Sequence, residues 1–251
     1  MTAVAALMLA ACGGDAEEPS AEPEPTATEE LTEDPTDELT PPGEDNGGNG
    51  GGAEPDPTDD LPGTESDLGP GEGQDLVPIG VPFDDVLHVR AAPDATADSV
   101  LELQPVDSGV TATGHNREVD DGAIWAEITI DDVTGWANWS YLGYIGDAMD
   151  ATDDVPRDMT GETVWHLAEQ VVNHLYPGDG GDPELEVVLI SDAVDDPDAS
   201  DALVDVLGFA DDAQQGARVR VNGNDVGDVY TVEEVVVSPL CYRGVTDGLC
   251  L

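Results

Sequence analysis

The sequence predicts a mainly β protein: a small β-barrel followed by an α+β domain, one helix on an antiparallel sheet, behind a disordered acidic tether. Three observations carry this reading. Between Val86 and Ala137, five short apolar runs are separated by Gly, Pro and Asp turn signals, the close spacing of a small barrel. Beyond the acidic joint Asp150 to Asp158, one apolar helical stripe precedes several β-branched runs. From Gly13 to Asp75 the only sizeable apolar side chains are Leu31, Leu39, Leu61 and Leu68, and no basic residue occurs.

In chain order, residues 1–12 read as a lipoprotein leader. Leu9-Ala10-Ala11-Cys12-Gly13 closes the apolar run Ala3 to Ala11 and matches a lipobox, whose cysteine becomes the lipidated N-terminus. The run is far shorter than the ~20 residues a membrane span needs, so it reads as a signal h-region. No Lys or Arg precedes it. Either the natural start lies upstream of Met1 or the match is fortuitous, and an acidic tether directly after Cys12 favours the first. A diacylglyceryl group on Cys12, at ~0.8 kcal/mol per buried methylene, would hold the chain on the outer face of the cell membrane.

Residues 13–76 form the expected linker, because so few apolar side chains cannot offset the backbone entropy of folding. A flexible coil of this length spans about 45 Å, and its charge and prolines extend it further. The composition continues in the same sense across the whole chain: 57 acidic residues stand against six Arg and no Lys, a net charge of -51. Such a field excludes nucleic acid and bare anionic membrane surfaces as partners. The acids are spread along the chain, which favours adaptation to salt over selection for a cation or basic partner. A mixed reading, with a genomic composition biased toward Ala, Gly, Asp and Val, stays open beside it.

The barrel is expected over 77–147. Val86 to Arg90 alternates as a strand and Pro93-Asp94 turns the chain. Val100 to Leu103, Gly109 to Gly114, Trp125 to Ile130 and Thr134 to Ala137 supply four more strands. The α+β domain is expected over 156–251. Val164, Leu167, Ala168, Val171, Val172 and Leu175 fall on one helical face, with Thr160 as N-cap, Glu162 in the first turn and Pro177-Gly178 as the stop. Leu185 to Ile190, Leu203 to Leu207, Ala217 to Val221 and Val229 to Val237 read as four strands, although Ser200 to Leu207 fits a short helix as well. With Cys12 set apart, Cys241 and Cys250 are an even pair and read as a disulfide, worth roughly 2.7 kcal/mol in the chain-entropy model.

Two half-motifs carry a family resemblance: Val86-Leu87-His88-Val89-Arg90-Ala91-Ala92-Pro93, and Gly135-Trp136-Ala137-Asn138-Trp139-Ser140-Tyr141-Leu142. With Gly109 and the Trp125 to Ile128 strand between them, they resemble a bacterial SH3-like (SH3b) domain over about residues 80 to 146. His88 stands where such domains usually carry Asn, and Ala92 and Asp94 where Gly is common. The second unit, ending Leu240-Cys241-Tyr242-Arg243-Gly244-Val245, looks like a companion domain of actinobacterial SH3 lipoproteins. The resemblance implies a binding module for cell-wall peptidoglycan or a wall-associated peptide. Trp125 and Trp136 occupy positions that pack the fold in that family. Trp139 replaces a small polar residue, so Trp139, Tyr141 and Tyr144 are the expected ligand surface, with a domain contact as the alternative. An envelope protein partner, reached by an adaptor or sensor that displays the second unit, is the competing role.

No enzyme chemistry is expected. His166 and His174 lie eight apart on the expected helix, not at the i, i+4 spacing of a metal pair. Asp192 to Asp201 and Asn222 to Asp228 lack the alternating ligands, central Gly and final Glu of an EF-hand loop. Paired carboxylates are too common here to signal glycosidase chemistry, and no nucleophile elbow or phosphate loop occurs. Neither a metal site nor a cofactor is expected.

Overall fold

The computed structural model describes residues 60–177, 185–196 and 198–251. The expected leader with Cys12, residues 13–59 of the expected tether and the helix-stop Gly178 lie outside the described residues. In chain order the elements are β1 (Thr64–Glu65), β2 (Asp75–Pro78), β3 (Leu87–Arg90), β4 (Ser99–Leu103), β5 (Val110–Glu118), β6 (Ile124–Ile130), β7 (Val133–Asn138) and β8 (Leu142–Ile145). Then follow β9 (Met149–Asp150), β10 (Thr160–Gly161), α1 (Val164–Leu175), β11 (Glu186–Leu189), β12 (Asp201–Leu207), β13 (Gln214–Asp225), β14 (Tyr230–Cys241), β15 (Val245–Thr246) and β16 (Leu249–Cys250). Among the described residues the protein is mainly β, with one α-helix and antiparallel pairing throughout the ladders.

Residues 60–76, assigned by sequence to the tether, are folded chain. β1 pairs with β5, and the Arg117 guanidinium donates to the carbonyls of Leu61, Pro62 and Gly63 at 3.1, 2.8 and 2.7 Å. Asn116 Nδ2 donates to Pro70 O at 3.0 Å, and Leu76 is buried. Polar side chains reaching backbone carbonyls hold this segment, so its poverty in apolar residues misleads.

The five strands expected of the barrel form as β3 to β7, with β2 and β8 beside them, but they do not close. The ladder runs β11-β12-β13-β14-β8-β2-β5-β6-β7-β3-β4 and is open at β4 and β11. The reason lies at β8, whose outer edge is taken by β14 through the pairs Leu240↔Ile145 and Cys241↔Tyr144. One continuous strand path therefore joins the expected barrel to the expected second domain.

Two cores lie on this path. The first gathers Leu76, Val89, Leu103, Val110, Ile128, Leu142 and, from the far end of the chain, Cys241. The second packs Val164, Leu167, Ala168, Val171 and Val172 of α1 on Val204, Val206, Val219, Val221 and Val235 of the sheet. Each buried Val or Leu contributes ~1.5–3 kcal/mol relative to exposure, enough to make the apolar stripe decisive for docking the helix. Thr163, not Thr160, caps α1: its Oγ1 accepts the His166 N–H at 3.2 Å. Thr160 is instead in β10, paired with Thr231, and Glu162 falls before the helix. Within Ser200 to Leu207, Asp201–Leu207 is strand, because Ala202, Val204 and Val206 alternate into the core beneath the helix.

The Cys241 and Cys250 sulfurs are at bonding distance, 1.98 Å, with Cα atoms 5.2 Å apart. This disulfide fastens the β15–β16 hairpin against the first core, where Val245 and Cys250 pack.

Candidate functional site

The turn after β7 begins the site. Asn138 Oδ1 accepts the Ser140 N–H at 2.9 Å and caps a single 3-10 turn, Trp139–Tyr141, before β8. That short turn sends three aromatic side chains to different places. Tyr141 is 47% exposed. Trp139 is half-buried against the first core and meets Tyr144 edge-on, centroids 5.7 Å apart. Tyr144 is buried, and its hydroxyl donates to Gln74 Oε1 at 2.6 Å. Burial pushes the Tyr144 hydroxyl pKa above its ordinary value.

Of the three expected ligand residues, only Tyr141 lines a groove. It shares this groove, about 240 Å³, with Trp125, Val81, Pro82, Val86, His88 and Arg90, among others. Most of the lining can be traced to three stretches of chain. β3 brings His88 and Arg90 on one side of the strand, while Leu87 and Val89 point into the core. β6 contributes Trp125, only 6% exposed, whose small open face forms part of the floor. The Gly80 to Val86 segment supplies the apolar wall.

Close approach of strands β3 and β7 sets the cationic side. Gly135 of β7 has no room for a Cβ, which would lie 2.8 Å from the Arg90 carbonyl oxygen. Trp136 then pairs with Arg90 across the strands. The Arg90 guanidinium is steadied by one hydrogen bond, Nη1 to Ala97 O at 2.7 Å. The loop beyond it is ordered by Asp94, which accepts the backbone and hydroxyl hydrogens of Thr96. Those hydrogen bonds hold the Asp94 carboxyl below its ordinary pKa, with a lesser contribution from Arg90. His88 Nδ1 lies 3.2 Å from Ser99 Oγ and 3.7 Å from Glu102 Oε1.

The apolar wall is fastened from the helix-bearing half. Asp205, fully buried in β12, accepts the Gly80 N–H through Oδ2 at 3.0 Å. The same carboxylate takes Arg218 Nε on Oδ1 at 2.8 Å and Arg218 Nη2 on Oδ2 at 3.0 Å. Arg218 Nη2 also donates to Pro78 O at 2.7 Å, and Phe83 N donates to Leu189 O at 3.0 Å. A buried bidentate pair thus connects the sheet under the helix to the segment that walls the groove.

No family model, curated protein or solved structure matches this chain. The groove must therefore be read from its own chemistry. Its aromatic and aliphatic faces offer apolar area at low entropy cost, and its polar groups can orient an extended ligand. Three other hollows among the described residues are lined mainly by polar and charged residues, such as Asp150, Arg157, Glu233 and Glu234 in one of them. Sequence alone placed Trp125 with the packing residues and left Pro82, His88 and Arg90 without a role. The signal was present in the alternation of β3: Leu87 and Val89 inward puts His88 and Arg90 outward together.

Proposed function

We propose that the protein is a lipid-anchored, extracytoplasmic binding protein whose SH3-like half takes cell-wall peptidoglycan or a wall-associated peptide in the Tyr141 groove. The observation that carries the reading is the groove itself, which brings an exposed Tyr141 and part of Trp125 together with Val81, Pro82 and Val86 and with Arg90 and His88 of β3. A shallow aromatic trough suits an extended peptide, whose backbone needs few specific partners and whose side chains need apolar contact. The two half-motifs of the SH3b resemblance meet where Gly135 and Trp136 approach Arg90, which supports reading them together. The Cys12 lipobox supports anchorage by a lipid, and the Cys241–Cys250 disulfide favours an oxidising compartment. On this reading no catalytic step is required of the chain.

Retention of the purified full chain on insoluble peptidoglycan tests the proposal. Tyr141→Ala is expected to lower retention about tenfold, the effect of one aromatic anchor worth ~1.4 kcal/mol, while leaving the melting temperature unchanged. Trp139→Ala, which lies outside the groove, should lower stability more than retention. Wild-type protein that is not enriched on peptidoglycan, or Tyr141→Ala that is retained like wild type, overturns the reading.

A further inference from the structure

We infer that the groove recognises a ligand through a carboxylate, held by Arg90 while the ligand's apolar body lies against Tyr141, Trp125 and Pro82. This rests on the wall-binding reading and names the chemical group that the groove would select. The argument begins with the six arginines, a scarce resource in a chain carrying 57 acidic residues. Four of them are engaged. Arg157 pairs with Asp153 at 2.7 Å, Arg218 with Asp205 at 2.8 Å, and Arg243 with Asp212 at 3.6 Å. Arg117 is committed to the carbonyls of residues 61 to 63.

Arg90 is different. Among the described residues no carboxylate lies within the 4.0 Å of an ion pair from it, although acids outnumber arginines more than ninefold. Asp94 acts on it only from beyond that range. Arg220 also lacks an ion pair but stands exposed on the sheet, outside the groove. Arg90 alone combines an unpaired guanidinium with an apolar, aromatic-lined trough. A half-buried guanidinium keeps five donors in a planar fork, and the bond to Ala97 O uses one of them. The remaining donors suit a bidentate carboxylate, and low-dielectric walls strengthen such a pair relative to water. Asp85 also lines the groove, with Oδ1 occupied by the Val86 N–H at 2.8 Å. Its charge sets a direction for the ligand, carboxylate toward Arg90 and any amine toward Asp85, as in a short peptide with a free acidic end.

The net charge sharpens the selection. A field of this sign repels free polyanions, so a carboxylate enters only where a local cation and apolar contact act together. Peptide carboxylates of the wall fit this requirement, and phosphate polymers are the other anionic source. The test separates them. Peptidoglycan is stripped of phosphate polymers with hydrofluoric acid, and half of it is then amidated with carbodiimide and methylamine. Retention of the full chain is measured on both at physiological ionic strength.

Wild type is expected to bind the stripped wall and to lose about tenfold on the amidated wall. The loss is diagnostic, because amidation leaves the wall more cationic and favours any unspecific attraction of an acidic protein. Arg90→Gln should bind the stripped wall about as weakly as wild type binds the amidated one, and Arg90→Lys should retain part of the difference. Wild type that binds both walls equally, with Tyr141→Ala lost from both, overturns the carboxylate and leaves the wall-binding groove standing. Wild type lost on stripping, before amidation, assigns binding to phosphate and overturns the carboxylate. Wild type that binds neither the native nor the stripped wall overturns the wall-binding reading, and the carboxylate with it. The amidation arm needs no variant, so it decides even where Arg90→Gln melts early.

Discussion

Arg90 and Arg218 sit in the two halves of one strand path and have opposite fates. In the helix-bearing half, Arg218 is consumed: a buried carboxylate takes two of its nitrogens, and a carbonyl from the other half shares one of them. In the groove-bearing half, Arg90 is propped by one carbonyl and left facing a trough. The first arrangement is built into the interior, its side chain only 10% exposed. The second keeps a half-buried guanidinium with no carboxylate partner and with donors to spare, beside apolar and aromatic side chains. The same contrast runs through the aromatic residues. Tyr176 and Phe209 pack on each other, centroids 5.2 Å apart, at the edge of the helical core, whereas Tyr141 stands open. Each half has its own core, and on the proposed reading only the groove-bearing half meets the ligand.

The largest effect is expected at the point where the halves are joined. Asp205→Ala leaves the Arg218 guanidinium and the Gly80 N–H without their acceptor, and removing one partner of a buried pair costs ~3–5 kcal/mol. Urea unfolding followed by tryptophan fluorescence and by far-UV circular dichroism should show one shared transition at a lower midpoint. Two separated transitions in wild type would break the picture of coupled halves.

Next comes the disulfide. Reduction, or Cys250→Ser, should cost roughly 2.7 kcal/mol by releasing the hairpin from the groove-side core. The loss should appear first in hydrogen exchange of β8 and β16, and last in α1. Equal loss of protection in both halves would show that the staple serves the whole fold.

The smallest effect concerns the buried tyrosines. Burial raises the pKa of Tyr144 in the groove-bearing half and of Tyr176 in the other. A raised folded pKa means the contribution is complete below the unfolded value near 10 and is lost as pH rises through the folded value. Stability should therefore fall above about pH 10. Tyr144→Phe should remove part of that slope and cost ~1 kcal/mol at neutral pH through the lost bond to Gln74. A denaturant midpoint that stays flat from pH 9 to 11 would contradict this.

Much of the helix-bearing half was legible in the sequence, because periodicity dictates it. The stripe from Val164 to Leu175 and the four β-branched runs each form their element, since each buries a continuous apolar face. The cap was misplaced by three residues. Thr160 and Thr163 are the same residue type, and only strand pairing with Thr231 distinguishes them. Residues 60 to 76 defeated composition, because Arg117 and Asn116 bind backbone carbonyls and need no apolar side chain to do so. The acid inside the run Leu203 to Leu207 was a readable warning of a buried partner. Its target, Gly80, is 125 residues away, beyond any local pattern. Within the site, Tyr141 was legible as a surface aromatic. Tyr144 was not separable from it, because only its strand parity in β8 sends it inward to Gln74.

Strand β14 has a consequence for how this protein can be inherited and cut. Its last residue belongs to the core of a region that precedes it by a hundred residues, and its penultimate residue borders the same strand, β8. The groove-bearing half is thus not a portable cassette. A gene fragment ending at the acidic joint would encode a half with a vacant sulfur-sized site and a bare strand edge. Transfer to another protein would have to carry the helix-bearing half along, though no residue of α1 lines the groove.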